Sequence, residues 1–159
     1  MKRLLVLLTV LAASLSVTAT ASPASGSTCI PDKKIGVEVV KGVAVIVYCG
    51  HAKTTLKSDG TTTHYTKGAC YRTLGNLSVA MGKYTALSHP KALFNAFLLV
   101  IPARKDGTYR RAVLTVQRKG KIATVANNVT VVVKSKLTRG TFKGKFEKGA
   151  KFSGSFTCK

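Results

Sequence analysis

The residues of this chain whose types and spacing could do chemistry are its cations. Lysine and arginine number 26 against five acids, for a formal charge of +21. Such an imbalance sets up a long-ranged positive field that draws in anionic polymers and surfaces. Two sets stand out. Residues 104 to 121 hold Arg104, Lys105, Arg110, Arg111, Arg118, Lys119 and Lys121 against a single acid, Asp106. Lys143, Lys145 and Lys151 fall on alternate positions with Thr141, Ser153 and Ser155, so strands would turn them all to one face. Ammonium and hydroxyl groups side by side suit phosphates, sulfates or carboxylates. Two plainer readings compete. Lysines on exposed strands block edge-to-edge aggregation, and strong charge keeps a secreted protein soluble.

Catalytic constellations are missing by comparison. Glycoside hydrolysis needs a carboxylate pair. Asp59 and Asp106 fall at expected turns and Glu147 is expected beside Lys151, which leaves Asp32 and Glu38 with nothing to recommend them. His51, His64 and His89 show no H-x-x-x-H spacing, no C-x-x-C is present, and cysteines held in disulfides cannot ligate zinc. There is no G-x-S-x-G elbow, and the glycines mark turns, not a phosphate loop before a helix. The expectation is a protein without catalytic residues, cofactor or metal. Nucleic acid is disfavoured as a partner, because only Tyr71 and Tyr109 lie near arginine to serve as stacking platforms. The chain has no Trp to stack on sugars and no amphipathic helix to lie on a membrane.

The elements that must position these groups begin with an export signal. Lys2 and Arg3 precede a short apolar run from Leu4 to Ala13, and small residues follow to Ala19-Thr20-Ala21. That is the pattern of a secretory signal peptide over residues 1–21, too short to span a bilayer. Gly26 stands three residues before Cys29, where a lipobox wants an aliphatic residue, so free secretion is expected and no lipid anchor. A leader over 22–34 and a single domain over 35–159 follow. No second long apolar stretch offers a membrane span. In an oxidising compartment Cys29, Cys49, Cys70 and Cys158 can form two disulfides. Cys29–Cys49 with Cys70–Cys158 is one arrangement, and Cys49–Cys70 with Cys29–Cys158 is its rival.

The domain reads as short strands with turns every 8 to 12 residues, which suits a β-sandwich or barrel. Strands are expected at Ile35–Val40, Val43–Tyr48, Lys53–Lys57, Thr61–Thr66, Leu74–Val79, Leu93–Ile101, Tyr109–Arg118, Lys121–Ala126 and Val129–Val133, with one helical turn over Thr85–Ala92. The β-branched run Val43–Tyr48 suggests a strand buried on both sides. Lys41-Gly42 and Asp59-Gly60 mark tight hairpins, the second placing His64 opposite Thr55. A turn at Lys119-Gly120 would set Val116 against Ala123 and Leu114 against Val125. The closing segment repeats Phe-x-Gly-x-Phe around Lys148-Gly149-Ala150. A loop of those three residues would place Phe146 opposite Phe152, Gly144 opposite Gly154, Phe142 opposite Phe156 and Glu147 opposite Lys151. Cys158 then shares the inward face with the phenylalanines.

The motifs Gly140-Thr141-Phe142-x-Gly144 and Ser153-Gly154-Ser155-Phe156-Thr157-Cys158 resemble the ending of small secreted β proteins of actinobacteria. The resemblance covers the last twenty residues. It implies an immunoglobulin-like antiparallel sandwich and a Cys70–Cys158 bridge, and it assigns no activity. The sequence therefore points to a secreted, monomeric, all-β domain. Its expected function is electrostatic association with anionic polymers or surfaces of the cell envelope. A protein-binding module, acting as an inhibitor or adhesion partner, is the alternative.

Overall fold

The computed structural model describes residues 34–158. The expected signal segment, the expected leader up to residue 33 and Cys29 lie outside the described residues. Eleven strands follow one another among the described residues: β1 (Ile35–Val40), β2 (Val43–Tyr48), β3 (Lys53–Ser58), β4 (Thr61–Tyr65), β5 (Gly68–Thr73), β6 (Asn76–Thr85), β7 (Ala96–Ile101), β8 (Gly107–Gln117), β9 (Thr124–Lys134), β10 (Arg139–Lys145) and β11 (Lys151–Thr157). Neighbouring strands pair antiparallel in the order β1-β2-β6-β7-β8-β9-β10-β11-β3-β4, with β5 also on β6. The all-β reading is correct.

This single sheet curls until its inner face packs on itself in a sandwich-like core. Tyr65 of β4 meets Phe97 of β7 with ring centroids 5.7 Å apart, and Phe97 meets Phe142 of β10 at 5.5 Å. These rings join Leu56, Met81, Leu99, Leu114, Val131, Phe152 and Phe156 in one buried cluster. Aromatic side chains each withdraw about 150–250 Å² from water, so these rings dominate the core energetics. The Ala52 amide donates to the Gly68 carbonyl at 3.2 Å, joining the approach to β3 to the start of β5. Nearby, Cys70 of β5 is bonded to Cys158 just past β11, with Cα atoms 5.6 Å apart. That bond rules out the rival pairing. Cys49 is not a free thiol, and its expected mate Cys29 lies outside the described residues.

Local turn chemistry set several registers as expected. Lys41-Gly42 and Asp59-Gly60 both have positive φ at the two central positions, the twist that a two-residue hairpin requires. They place Val40 opposite Val43, Ser58 opposite Thr61 and Thr55 opposite His64. A third such turn is Leu74-Gly75, with φ of 50° and 80°. It corrects the expected strand at Leu74: the side chain is 95 % exposed, and β6 starts two residues later.

Other expectations need correction. The β10–β11 loop is Glu147-Lys148-Gly149, one residue earlier than expected, with Gly149 at φ 87°. The Gly149 amide donates to the Phe146 carbonyl at 2.8 Å, and the Phe146 amide donates to Ala150 at 2.9 Å. The register therefore shifts by two, placing Phe142 opposite Gly154, Gly144 opposite Phe152 and Lys145 opposite Lys151. The physical reason is room. A Cβ on Gly144 would lie 2.6 Å from the Phe152 ring, and one on Gly154 would strike the Phe142 ring. Phe142, Phe152 and Phe156 each lie over a glycine across the ladder, and face parity is unchanged by a shift of two.

The β8–β9 register is also off by one, with Val116 opposite Thr124 and Leu114 opposite Ala126. The Lys119-Gly120 turn forms, but the chain beyond it bonds elsewhere: the Ala92 amide donates to Lys121 and the Gly120 amide to Ala92. The two segments expected over 121–133 form one strand that starts at Thr124. The expected helical turn at Thr85–Ala92 is an irregular loop. Gln117, 2 % exposed, anchors it: its side-chain oxygen accepts from the Thr85 amide at 2.8 Å, and its nitrogen donates to the Thr85 carbonyl at 2.6 Å. Finally, β2 is not covered on both sides. Ala44 is exposed and Ile46 half-buried, because β1 and β2 reach beyond the core on only three ladder pairs to β6.

Candidate functional site

Four adjacent strands, β9, β10, β11 and β3, present a continuous outer face. Their inward positions carry Val131, Phe142, Phe152, Phe156 and Leu56, so alternation turns the intervening residues to solvent. The registers set Thr130, Lys143, Ser153, Lys57 and Thr62 in one row across the sheet. The next row holds Val132, Thr141, Ser155, Thr55 and His64. Lys134, Arg139, Thr157 and Lys53 form a third row on one flank, and the Lys145–Lys151 pair borders the other. Strands stand about 4.8 Å apart, so Lys143 and Lys57 are about 10 Å apart across the sheet, and Lys143 and Lys145 about 7 Å apart along β10. Lys57, Lys143, Lys145 and Lys151 with Ser153 line a shallow concavity of about 640 Å³.

This face brings together Lys143, Lys145 and Lys151 as expected and adds Lys57, Lys53, Lys134 and Arg139. Only long-range pairing of β3 with β11 supplies Lys57 and Lys53, so no local spacing could have revealed them. The 104–121 set divides among three places. Arg104 and Lys105 sit in the β7–β8 loop at one end, where Arg104 O accepts from Arg72 at 3.1 Å and Lys105 O from the Tyr109 hydroxyl at 2.7 Å. Arg118, Lys119 and Lys121 occupy the β8–β9 turn at the opposite end, with the Lys119 amide donating to Asn95 Oδ1 at 2.8 Å. Arg110 and Arg111 are exposed in a bulge facing Thr130, where they prolong the row through Lys143.

Asp59 lines the same concavity, but among the described residues no ion pair joins an acid to these lysines. Among the described residues one ion pair is present, Lys83 Nζ to Glu38 Oε1 at 2.7 Å, and it lies on β6 and β1. Asp106 accepts from the amides of Lys136 and Leu137 at 2.9 and 2.8 Å, fixing a loop in which Ser135, Lys136 and Leu137 all have positive φ. Asp59 accepts from the Ser58 hydroxyl at 3.2 Å, and Glu147 sits in the β10–β11 turn, with Lys145 opposite Lys151 in its place. His64 Nδ1 lies 3.3 Å from Thr55 Oγ1, and His89 bonds the Lys91 carbonyl. No group of three metal-ligating side chains occurs among the described residues. No helix among them is long and apolar enough to cross a membrane.

The edge-protection reading of the lysines is corrected by the strand order. Lys143, Lys145, Lys151 and Lys57 lie on β10, β11 and β3, each flanked by a strand on both sides. The terminal strands of the path, β1 and β4, contain no lysine. Compared with known proteins, the chain matches no protein-family model, no curated protein and no solved structure.

Proposed function

We propose that this chain is a secreted, non-catalytic binding domain that associates with anionic polymers of the cell envelope through the β9-β10-β11-β3 face. The observation that carries the reading is the lysine cluster on interior strands, which forms no ion pair among the described residues. Cations there cannot serve edge protection, and solubility does not require them to converge with Thr130, Thr141, Ser153 and Ser155 on one surface. A flat lattice of ammonium and hydroxyl donors meets tetrahedral oxyanions without stacking, which favours a phosphate or sulfate polymer over a nucleic acid. Within the all-β class, we read the chain as an up-and-down meander in preference to the immunoglobulin-like sandwich, because β5 to β11 are each bonded to the next strand in sequence.

The test compares two variants of equal net charge. One carries Lys57→Gln, Lys143→Gln and Lys151→Gln; the other carries Lys105→Gln, Lys119→Gln and Lys121→Gln. Binding to inorganic polyphosphate, heparin and single-stranded DNA is titrated against salt. The face variant is expected to lower the slope of log affinity against log salt by about 2–3 on polyphosphate, near the value for three lost contacts. The end variant should change it by less than one. Equal losses in both would show that net charge, not this face, does the binding.

A further inference from the structure

Among the described residues, the hydrogen-bonded path ends at β1 on a strand whose open face is apolar. Strand β1 pairs, among the described residues, only with β2 and closes one end of the hydrogen-bonded path. On its open face Ile35, Val37 and Val39 are 39, 62 and 72 % exposed. The ladder extends this apolar surface to Ala44 and Ile46 on β2 and to Tyr84 on β6. No lysine interrupts it, yet Lys34 and Lys41 stand just outside the two ends of the strand. Lys41 is exposed, and Lys34 Nζ donates to the Cys70 carbonyl at 3.3 Å while keeping two further donors. Glu38, the one acid of β1, is held on the other face by Lys83.

An apolar strand edge with unpaired backbone groups is a template for adding another strand. We propose that β1 receives an extended segment of an acidic partner protein, with apolar side chains at alternate positions and carboxylates at both ends. Charge complementarity selects this occupant. The two lysines lie seven residues apart, about 24 Å along a strand, which sets the spacing of the carboxylates. A second copy of this chain fits badly. Full-length antiparallel pairing of β1 with itself would set Lys34 against Lys41 of the second copy at both ends. The total charge of +21 also opposes association.

The experiment uses a labelled octapeptide with aspartate at each end and valine alternating with threonine between, and a twin with lysine at each end. Fluorescence anisotropy is expected to show the acidic peptide binding at least tenfold more tightly. Val37→Lys should remove binding of the acidic peptide, and Lys34→Glu with Lys41→Glu should reverse the preference. The variant with Lys57, Lys143 and Lys151 changed to glutamine should bind as the parent does, separating this edge from the cationic face. Equal binding of both peptides, or binding that survives Val37→Lys, overturns the proposal. A doubled mass in sedimentation that Val37→Lys abolishes would overturn it in favour of a second copy.

Discussion

The shifted β10–β11 register makes a quantitative claim that a double-mutant cycle can test. In Gly144→Ala the added methyl would lie 2.6 Å from Phe152 Cζ and 3.2 Å from both Cε atoms, its nearest neighbours. Carbon atoms rest at about 3.5–4.0 Å, so the ring must move by about 1 Å. It has little room, being 4 % exposed with the Phe146 ring centroid 4.5 Å away. Overpacking of this kind costs about 1–3 kcal/mol, and we expect about 2 here. Phe152→Leu alone should cost about 1–2 kcal/mol through lost burial. In the double variant the obstacle is gone, so the total should fall short of the sum by about 1–2 kcal/mol. Urea midpoints at constant m value measure all four corners. Had Phe146 faced Phe152, with Gly144 opposite Gly154, the methyl would meet no ring. Additivity within about 0.5 kcal/mol would then refute the glycine-over-ring register.

Two further outcomes follow from buried polar groups. The Thr54 hydroxyl is buried without a hydrogen-bond partner, so Thr54→Val should stabilise the protein by about 1 kcal/mol; a loss in urea unfolding would show that the hydroxyl is satisfied. Burial raises the phenols of Tyr48, Tyr65 and Tyr84 above the ordinary value of 10.0, with Tyr71 adding to the effect on Tyr48 and Arg118 opposing it on Tyr65. The contribution of these phenols is complete below about pH 10 and is lost as pH climbs through their folded values. Stability measured from pH 9 to 12 should therefore fall, and fall less steeply in Tyr48→Phe; an unchanged slope would remove Tyr48 from the cause.

The parts of the fold legible in the sequence are those fixed within a few residues. Lys41-Gly42 and Asp59-Gly60 impose their own dihedrals, so both hairpins and the Thr55–His64 pairing could be read directly. Leu74-Gly75 adopts the same geometry but hides it, because leucine is an uncommon occupant of positive φ and its apolar side chain mimics a strand residue. The alternation of Phe142, Phe146, Phe152 and Phe156 correctly gave the inward face, since a slip of two preserves parity. It could not give the slip, which depends on a ring needing the space above a glycine. The candidate face was half legible for a related reason. Lys143, Lys145 and Lys151 share one hairpin, whereas Lys57 arrives through a pairing across almost a hundred residues of chain, on the order that only the finished core determines.

The placement of charge now constrains what the charge is for. A chain seeking solubility alone can put lysine on any exposed position, and one guarding against aggregation puts it on terminal strands. Here β1 and β4 contain none, while β10, β11 and β3, each flanked by two strands, carry Lys143, Lys145, Lys151, Lys53 and Lys57. The terminal strand β1 is instead apolar on its open face and bracketed by Lys34 and Lys41. Strands β2, β6, β7, β8 and β9 stand between it and β10, so a polymer on the cationic face and a strand on the β1 edge would occupy separate stretches of the sheet. Salt separates the two: a lattice of exposed lysines loses affinity steeply as counterions compete, whereas a ladder of backbone hydrogen bonds over apolar contacts is screened much less. Retention on envelope material that persists at molar salt in the lysine-face variant, and disappears with Val37→Lys, would assign that retention to β1.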